Sequence, residues 1–188
     1  MNKVYSFENS ENCNVLLIID IDTFVDIVFS MTTVTFRDWT LTVDREATHL
    51  TYASVVNGSA EDCECDDCKN YAVSRVAAFP NEIILLLDQL GIDHRKECEV
   101  WRMSKDEAGN YLYNGIFHFK GSFEGKDCFV TTDGSNGTFS MTDINESFSI
   151  GFRMASELTY FKDKEGLVQV EFETRIPWAI DKKLEPEW

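Results

Sequence analysis

The class of fold is indicated by one run of residues, Tyr111-Leu112-Tyr113-Asn114-Gly115-Ile116-Phe117-His118-Phe119. Aromatic side chains occupy alternate positions in this run, at Tyr111, Tyr113, Phe117 and Phe119. Successive side chains of a β-strand point to opposite faces of a sheet. The spacing therefore predicts a long strand with an aromatic face packed on a core.

Shorter stretches with the same alternation lie on both sides of this run, at 33–43, 99–103, 148–154 and 168–176. Polar residues separate the apolar ones, which is typical of antiparallel strands with one face on the core and one face in solvent. We also expect a hairpin loop at 44–47, a returning strand at 50–53 and a further strand at 158–161.

The N-terminal part of the chain is ambiguous. Residues 15–19 fit a buried strand, whereas Asp22 could begin a helix that carries the apolar residues up to Met31. Periodicity alone does not separate these possibilities in a short apolar run. A strand followed by a short helix or turn is favoured over the alternative, and the polar residues 1–13 are expected to be flexible.

Residues 68–91 interrupt the strands with a helical pattern. Pro80 is expected in the first turn of the second of two helices, where a proline is best tolerated. Gly91 is expected to end that helix, with Ile92 packing back on Leu87. The sequence thus predicts a single α+β domain over 1–188. This domain is antiparallel and β-rich, built as a sheet or a sandwich, with an inserted helical pair at about 68–91.

The charge of the chain restricts its partners. It has 188 residues and a formal net charge of −16, from 33 acidic and 17 basic residues. Such a chain repels phosphate backbones and anionic lipid, so we expect no nucleic acid or membrane partner. A basic protein partner is the class that the charge favours. The simpler interpretation is that an acidic surface keeps the protein soluble.

The sequence also predicts a cytoplasmic location. The first apolar run, at 15–19, follows Glu8 and Glu11 and not a basic segment, which argues against a secretory signal. Asp20 and Asp22 interrupt the apolar pattern, so it does not predict a membrane span. The six cysteines are therefore expected to be reduced thiols.

Three cysteines lie within six positions, in Glu61-Asp62-Cys63-Glu64-Cys65-Asp66-Asp67-Cys68. The Cys65-x2-Cys68 pair matches half of a structural zinc site, and zinc is the cofactor that this spacing suggests. A closed site needs a fourth ligand, for which Cys98 is the main candidate and His94, His118 and Cys13 are weaker ones.

Two other interpretations of the same cysteines remain open. A Cys-x2-Cys at a helix start resembles the placement of redox-active thiols. Alternatively, Asp66 or Asp67 caps the helix and the thiols pack as small apolar groups. The flanking carboxylates are expected to raise the pKa values of these cysteines, because like charge disfavours the thiolate.

No catalytic motif is visible elsewhere in the sequence. His118 and the pair Glu171 and Glu173 are expected on solvated strand faces. Trp178, after Pro177, is expected to close the end of the sheet. Asn70, His118 and Trp178 are the candidate binding residues.

Parts of the chain resemble a group of uncharacterised bacterial proteins. The similarity rests on Cys65-Asp66-Asp67-Cys68-Lys69-Asn70-Tyr71, Phe79-Pro80, Leu90-Gly91-Ile92-Asp93, the segment 97–100, Gly115-Ile116-Phe117-His118-Phe119 and Glu171-Phe172-Glu173-Thr174-Arg175-Ile176-Pro177-Trp178. The resemblance implies a bacterial, cytoplasmic protein and no particular reaction. Cys63 lies outside the shared pattern.

Two functions follow as hypotheses. The first is a non-enzymatic binding or accessory protein, of the immunity type, whose acidic surface contacts a basic partner. The second is a metal-binding regulator or metal-assisted enzyme that uses the cysteines at 63–68.

Overall fold

The structure is a computed structural model that describes residues 3–8, 14–19, 31–133 and 136–187. Within these residues the elements, in chain order, are β1 (Lys3–Glu8), β2 (Asn14–Ile19), β3 (Met31–Phe36), β4 (Trp39–Asp44), α1 (Arg45–Ser54), α2 (Ser59–Asp62), α3 (Asp66–Ala78), α4 (Asn81–Gln89), β5 (Glu99–Lys105), β6 (Asn110–Glu124), β7 (Phe129–Asp133), β8 (Asn136–Phe139), β9 (Thr142–Asn145), β10 (Phe148–Met154), β11 (Leu167–Pro177) and a short 3-10 helix (Lys182–Leu184).

The largest sheet has seven strands in the order β3-β4-β6-β11-β10-β9, with β5 also paired to β6. Its neighbouring strands are antiparallel throughout. The β1–β2 and β7–β8 hairpins form two smaller sheets. This architecture confirms the predicted α+β class with an antiparallel sheet.

β6 is the long strand that the aromatic alternation predicted, and it lies inside the sheet, paired with β4, β5 and β11. Tyr111, Tyr113, Phe117 and Phe119 are all buried on one face, where they meet the inward side chains of β10 and β11. Gly115 lies directly opposite Phe172 of β11. A Cβ atom at Gly115 would lie 2.4 Å from the Phe172 ring, so this position leaves room for the ring and for nothing larger than glycine.

The helical pair is present where the sequence predicts it, as α3 and α4. Phe79 joins the two helices and packs its ring 5.1 Å from those of both Phe148 and Phe172. Gly91 adopts a φ of 80°, which L-residues with a side chain rarely adopt. The amide of Ile92 donates to the Leu87 carbonyl at 2.8 Å, which confirms the predicted Schellman end of α4.

One predicted hairpin is wrong. The predicted loop and returning strand instead form α1 (Arg45–Ser54), whose first turn is capped by the Asp44 carboxylate accepting from the Ala47 amide at 2.9 Å. α1 provides hydrogen-bond acceptors for backbone amides of β6, in the part of that strand that lies between its pairing with β5 and its pairing with β4. The Tyr52 hydroxyl accepts from the His118 amide at 2.9 Å, and the Thr48 hydroxyl accepts from the Lys120 amide at 3.0 Å.

The predictions for the N-terminal segments and for 158–161 were confirmed in part. Residues 15–19 lie in strand β2, as favoured, whereas the helix or turn expected after Asp22 lies outside the described residues. Within 1–13, Lys3–Glu8 forms β1. The strand expected at 158–161 is irregular chain, in which Leu158 has a φ of 50°. Among the helices described, none combines the length and the apolar character that a membrane crossing requires.

Candidate metal centre

The connection between α2 and α3 brings three thiols together. Cys63 follows α2 directly, and its amide donates to the Ser59 carbonyl at 3.1 Å. Cys65 precedes α3 and Cys68 lies in its first turn. The three sulfur atoms lie within 4.8 Å of one another, and those of Cys63 and Cys65 are 3.3 Å apart.

The start of α3 depends on one of these thiols. Cys65 is the N-cap residue, and its sulfur accepts from the Cys68 amide at 3.4 Å. The expectation that Asp66 or Asp67 caps the helix is therefore wrong. The Asp67 carboxylate pairs with Arg102 of β5 at 2.7 Å, which fixes the start of α3 to the sheet. The positive end of α3 faces the thiols and favours negative charge on them.

A partly buried ionic cluster holds α2 against α3. It consists of Arg75 on α3, Glu61 on α2 and Glu97 ahead of β5. The Arg75 guanidinium lies 2.5 Å from the Glu61 carboxylate and 3.3 Å from that of Glu97, whose side chain is completely buried. Glu97 also accepts from the Ala60 amide at 3.0 Å. The cluster thereby fixes both helices that carry the thiols.

The thiols differ in acidity. The pKa of Cys63 is lowered, first because the Cys65 amide donates to its sulfur and second because the neighbouring thiols do so. The pKa of Cys68 is raised, mainly by burial and then by hydrogen bonding to the other two sulfurs. The expectation that carboxylates raise the pKa of every thiol here is thus wrong for Cys63, and for Cys68 burial is the leading cause.

The sulfur geometry fits a soft metal ion. With a zinc–sulfur distance of about 2.3 Å, sulfur atoms in a tetrahedral site lie about 3.8 Å apart. The observed separations, 3.3 Å between the Cys63 and Cys65 sulfurs and at most 4.8 Å for the other pairs, bracket that value. A metal ion held by these three thiols would keep a fourth coordination position, and Cys65 is exposed to solvent.

Cys98 is not part of this group. Its thiol is buried 3.8 Å from the Tyr52 hydroxyl, and burial raises its pKa to about 11. His94 packs against the Phe79 ring, with 6.1 Å between ring centres. Cys13 lies outside the described residues. Cys63, Cys65 and Cys68 are thus the sequence-predicted ligands that the structure brings together.

Asn70 and Trp178 both have structural partners. The buried Asn70 amide donates to the Tyr113 hydroxyl at 3.3 Å and to the Pro177 carbonyl at 3.2 Å, and its oxygen accepts from the Ala179 amide at 2.6 Å. Trp178 packs against Tyr111 with 5.5 Å between ring centres, at the end of the sheet where it was expected. Asn70 therefore ties α3 to the end of β11.

His118 and Glu171 are buried, so their predicted exposure is wrong. Gln169 lies between them: its amide donates to the Glu171 carboxylate at 2.5 Å, and its carbonyl lies 3.2 Å from Nε2 of His118. Burial lowers the pKa of His118 to about 4 and raises the pKa of Glu171. Alternation placed these side chains on the face opposite the aromatic residues but gave no sign that this face is also covered.

The Arg75–Glu97–Glu61 cluster was not predictable from the sequence, because its members are separated along the chain by other elements. Only the Gly58-to-Glu61 spacing offered a signal, since a glutamate three residues after an N-cap can bind back to it. The Glu61 carboxylate does accept from the Gly58 amide, at 3.0 Å.

Comparison with known proteins yields no match: no protein-family model, curated protein or solved structure is significantly similar to this chain. The resemblance of 65–178 to uncharacterised bacterial proteins stays a prediction. Function must therefore be argued from the geometry of the site.

Proposed function

We propose that this protein binds a thiophilic metal ion, with zinc as the first candidate, through Cys63, Cys65 and Cys68. The observation that carries the proposal is the convergence of three sulfur atoms within 4.8 Å at the start of α3. Thiolate ligands favour zinc and Cu(I) over magnesium or calcium. The side chain of Cys65 is exposed, and such a site suits reversible metal binding by a regulator better than a closed structural role.

The surroundings support a bound cation. Glu64 lies between Cys63 and Cys65 in the chain, and its exposed carboxylate helps to neutralise a divalent ion at the site, whereas the Asp66 carboxylate pairs with Lys69 at 3.3 Å. The ionic cluster behind the thiols is formed by residues that do not ligate, so the ligand-bearing helices are positioned without metal. Binding then has little folding to drive, and its main cost is deprotonation of the thiols.

We expect the reduced protein to bind one Co²⁺ or Zn²⁺ per chain. Co²⁺ should give the ultraviolet sulfur-to-cobalt charge-transfer absorption of thiolate ligation, and Zn²⁺ should displace it. Cys68→Ser should lower zinc affinity at least ten-fold, because a hydroxyl replaces one of three thiolate ligands. The measurement is a competitive titration against a chromophoric zinc indicator, with cooperative urea unfolding of each apo protein as the check on folding.

The matched control is Cys128→Ser, since this buried thiol is not part of the cluster. It should leave zinc affinity unchanged. Equal zinc affinity in wild type and Cys68→Ser, or a cobalt spectrum without charge transfer, would overturn the proposal.

A second function, binding of a basic protein partner, is favoured by charge. The net charge is −16, and Asp62 and Glu64 beside the thiols are both exposed. An accessory or immunity-type inhibitor would use such a surface. A partner retained by wild-type protein at low salt should be lost from the double variant Asp62→Lys, Glu64→Lys. Recovery of no partner from the native host, or equal recovery by the double variant, counts against this function.

A further inference from the structure

A cavity of about 760 Å³ lies at the end of α3 remote from the thiols. It is bounded by the last two turns of α3, the joint at Phe79-Pro80, the turn between β9 and β10, and the end of β11. Its volume falls within the range of small-molecule sites, about 300–1,000 Å³. It shares no residue with the proposed metal centre.

The cavity owes its volume to small side chains. Ser74, Ala77 and Ala78 line it along α3, where larger residues would fill it. Part of its rim is apolar, since Val73, which is 62% exposed, lies at the helix side. Pro177 contributes further apolar surface at the strand side. An apolar ligand body would cover these surfaces and remove them from water.

Two polar groups in the lining have no partner among the described residues. Arg175 is exposed, and its guanidinium takes part in no hydrogen bond or ion pair within them, although Glu146 lines the same cavity. The Ser74 hydroxyl oxygen is buried and makes no hydrogen bond there. Buried polar groups are normally paired. Less than 1 Å² of the Ser74 oxygen is accessible, so Arg175 is the polar group of these two that a ligand in the cavity can reach.

We propose that this cavity binds a small carboxylate with an apolar body, such as a medium-chain carboxylic acid. A guanidinium matches a carboxylate with two parallel hydrogen bonds. One unpaired arginine balances one negative charge. A dianion such as a phosphate monoester is disfavoured by Glu146 in the lining and by the chain charge of −16. The apolar walls hold the body of the ligand.

The first test compares two probes of equal length by calorimetric titration. Octanoate carries the carboxylate, and octanamide has the same apolar chain without the charge. Octanoate should bind wild type at least ten-fold more tightly than octanamide. Arg175→Gln should lower octanoate affinity at least ten-fold and leave octanamide affinity unchanged, because only the charged contact is lost.

The second test fills the cavity. Ala77 and Val76 are neighbouring exposed positions on α3, and of the two only Ala77 lines the cavity. Ala77→Trp should abolish octanoate binding, whereas Val76→Trp should preserve it, with cooperative thermal unfolding confirming that both variants fold. Absence of octanoate binding to wild type, octanamide binding as tight as octanoate, or equal effects of the two tryptophan variants would each overturn the proposal.

Discussion

Arg75→Met should lower the free energy of unfolding by about 3–5 kcal/mol. The variant leaves the Glu97 carboxylate buried without its guanidinium, since the Glu97 side chain has 0% exposure. Burial already raises the pKa of Glu97, and Arg75 is one of the groups that lower it. Without the arginine, folding must either bury the charge or protonate the carboxylate. Urea unfolding at pH 7, extrapolated to water, measures the loss.

Three further variants test whether the ionic pair is the cause. Arg95→Met removes an arginine paired with Asp93 at 2.9 Å, but the Arg95 side chain is 62% exposed. Its loss should be about 1 kcal/mol or less. Adding Glu97→Met to Arg75→Met should recover part of the stability, because the unpaired charge disappears. Glu97→Met alone gives the second single loss of this pair. If the double variant loses the sum of the Arg75→Met and Glu97→Met losses, the buried pair does not cause the effect.

The central strand and the helical pair were predictable because their signals are local. The aromatic alternation from Tyr111 to Phe119 needs only the pleat of a strand, and the Gly91 end of α4 needs only a residue that tolerates positive φ. Both features also agree with the overall fold, since the aromatic face of β6 lies in the main core. Agreement of local and global preferences is what makes a pattern reliable.

α1 shows where such signals fail. Leu50-Thr51-Tyr52-Ala53 has the composition of a short strand, and the Asp44 cap was the one local sign of a helix. What decides the conformation is non-local: two amides of β6 need the hydroxyls of Thr48 and Tyr52. Thr48 and Tyr52 lie four residues apart, so a helix places both hydroxyls on one face toward these amides. The sequence of the segment carries no sign of this contact with β6.

The candidate site was predictable in part for the same reason. Cys63, Cys65 and Cys68 are close in sequence, so a helix start was enough to bring their sulfurs together. Cys98 was expected as a fourth ligand because of its chain position, but its place in the fold is set by pairing with β6, where its amide donates to the Ile116 carbonyl at 2.8 Å. The spacing of cysteines along the chain does not predict which strand a distant cysteine will lie beside in the fold.

The stability of the protein should fall by about 3 kcal/mol between pH 7 and pH 4 because of His118 alone. The pKa of His118 is lowered from 6.5 to about 4, first by burial. Because the pKa is lower in the folded state, the unfolded chain binds more protons across this window. The contribution of neutral His118 to the free energy of unfolding is therefore fully present above pH 6.5 and is lost as the pH falls through 4. The difference in pKa corresponds to about 3 kcal/mol.

The groups around His118 explain why its protonation is unfavourable. Gln169 gives its amide to Glu171, so its carbonyl is left to accept from Nε2 of His118, and the ring proton lies on that nitrogen. Nδ1 is then unprotonated and buried, with no hydrogen-bond partner among the described residues. A proton there would gain no acceptor. Glu157 favours the charged ring and Lys164 opposes it, but burial outweighs both.

His118→Gln should remove this pH dependence, because a glutamine amide can still donate toward Gln169 and takes up no proton. The unfolding free energy of wild type minus that of the variant should fall by about 3 kcal/mol from pH 7 to pH 4, because only wild type loses stability through this imidazole. Glu97 and Glu171, whose raised pKa values act in the opposite direction, are present in both proteins and cancel. The exposed His49 supplies the control: His49→Gln should follow the wild-type profile. Parallel profiles for wild type and His118→Gln would show that the imidazole is not held neutral by burial.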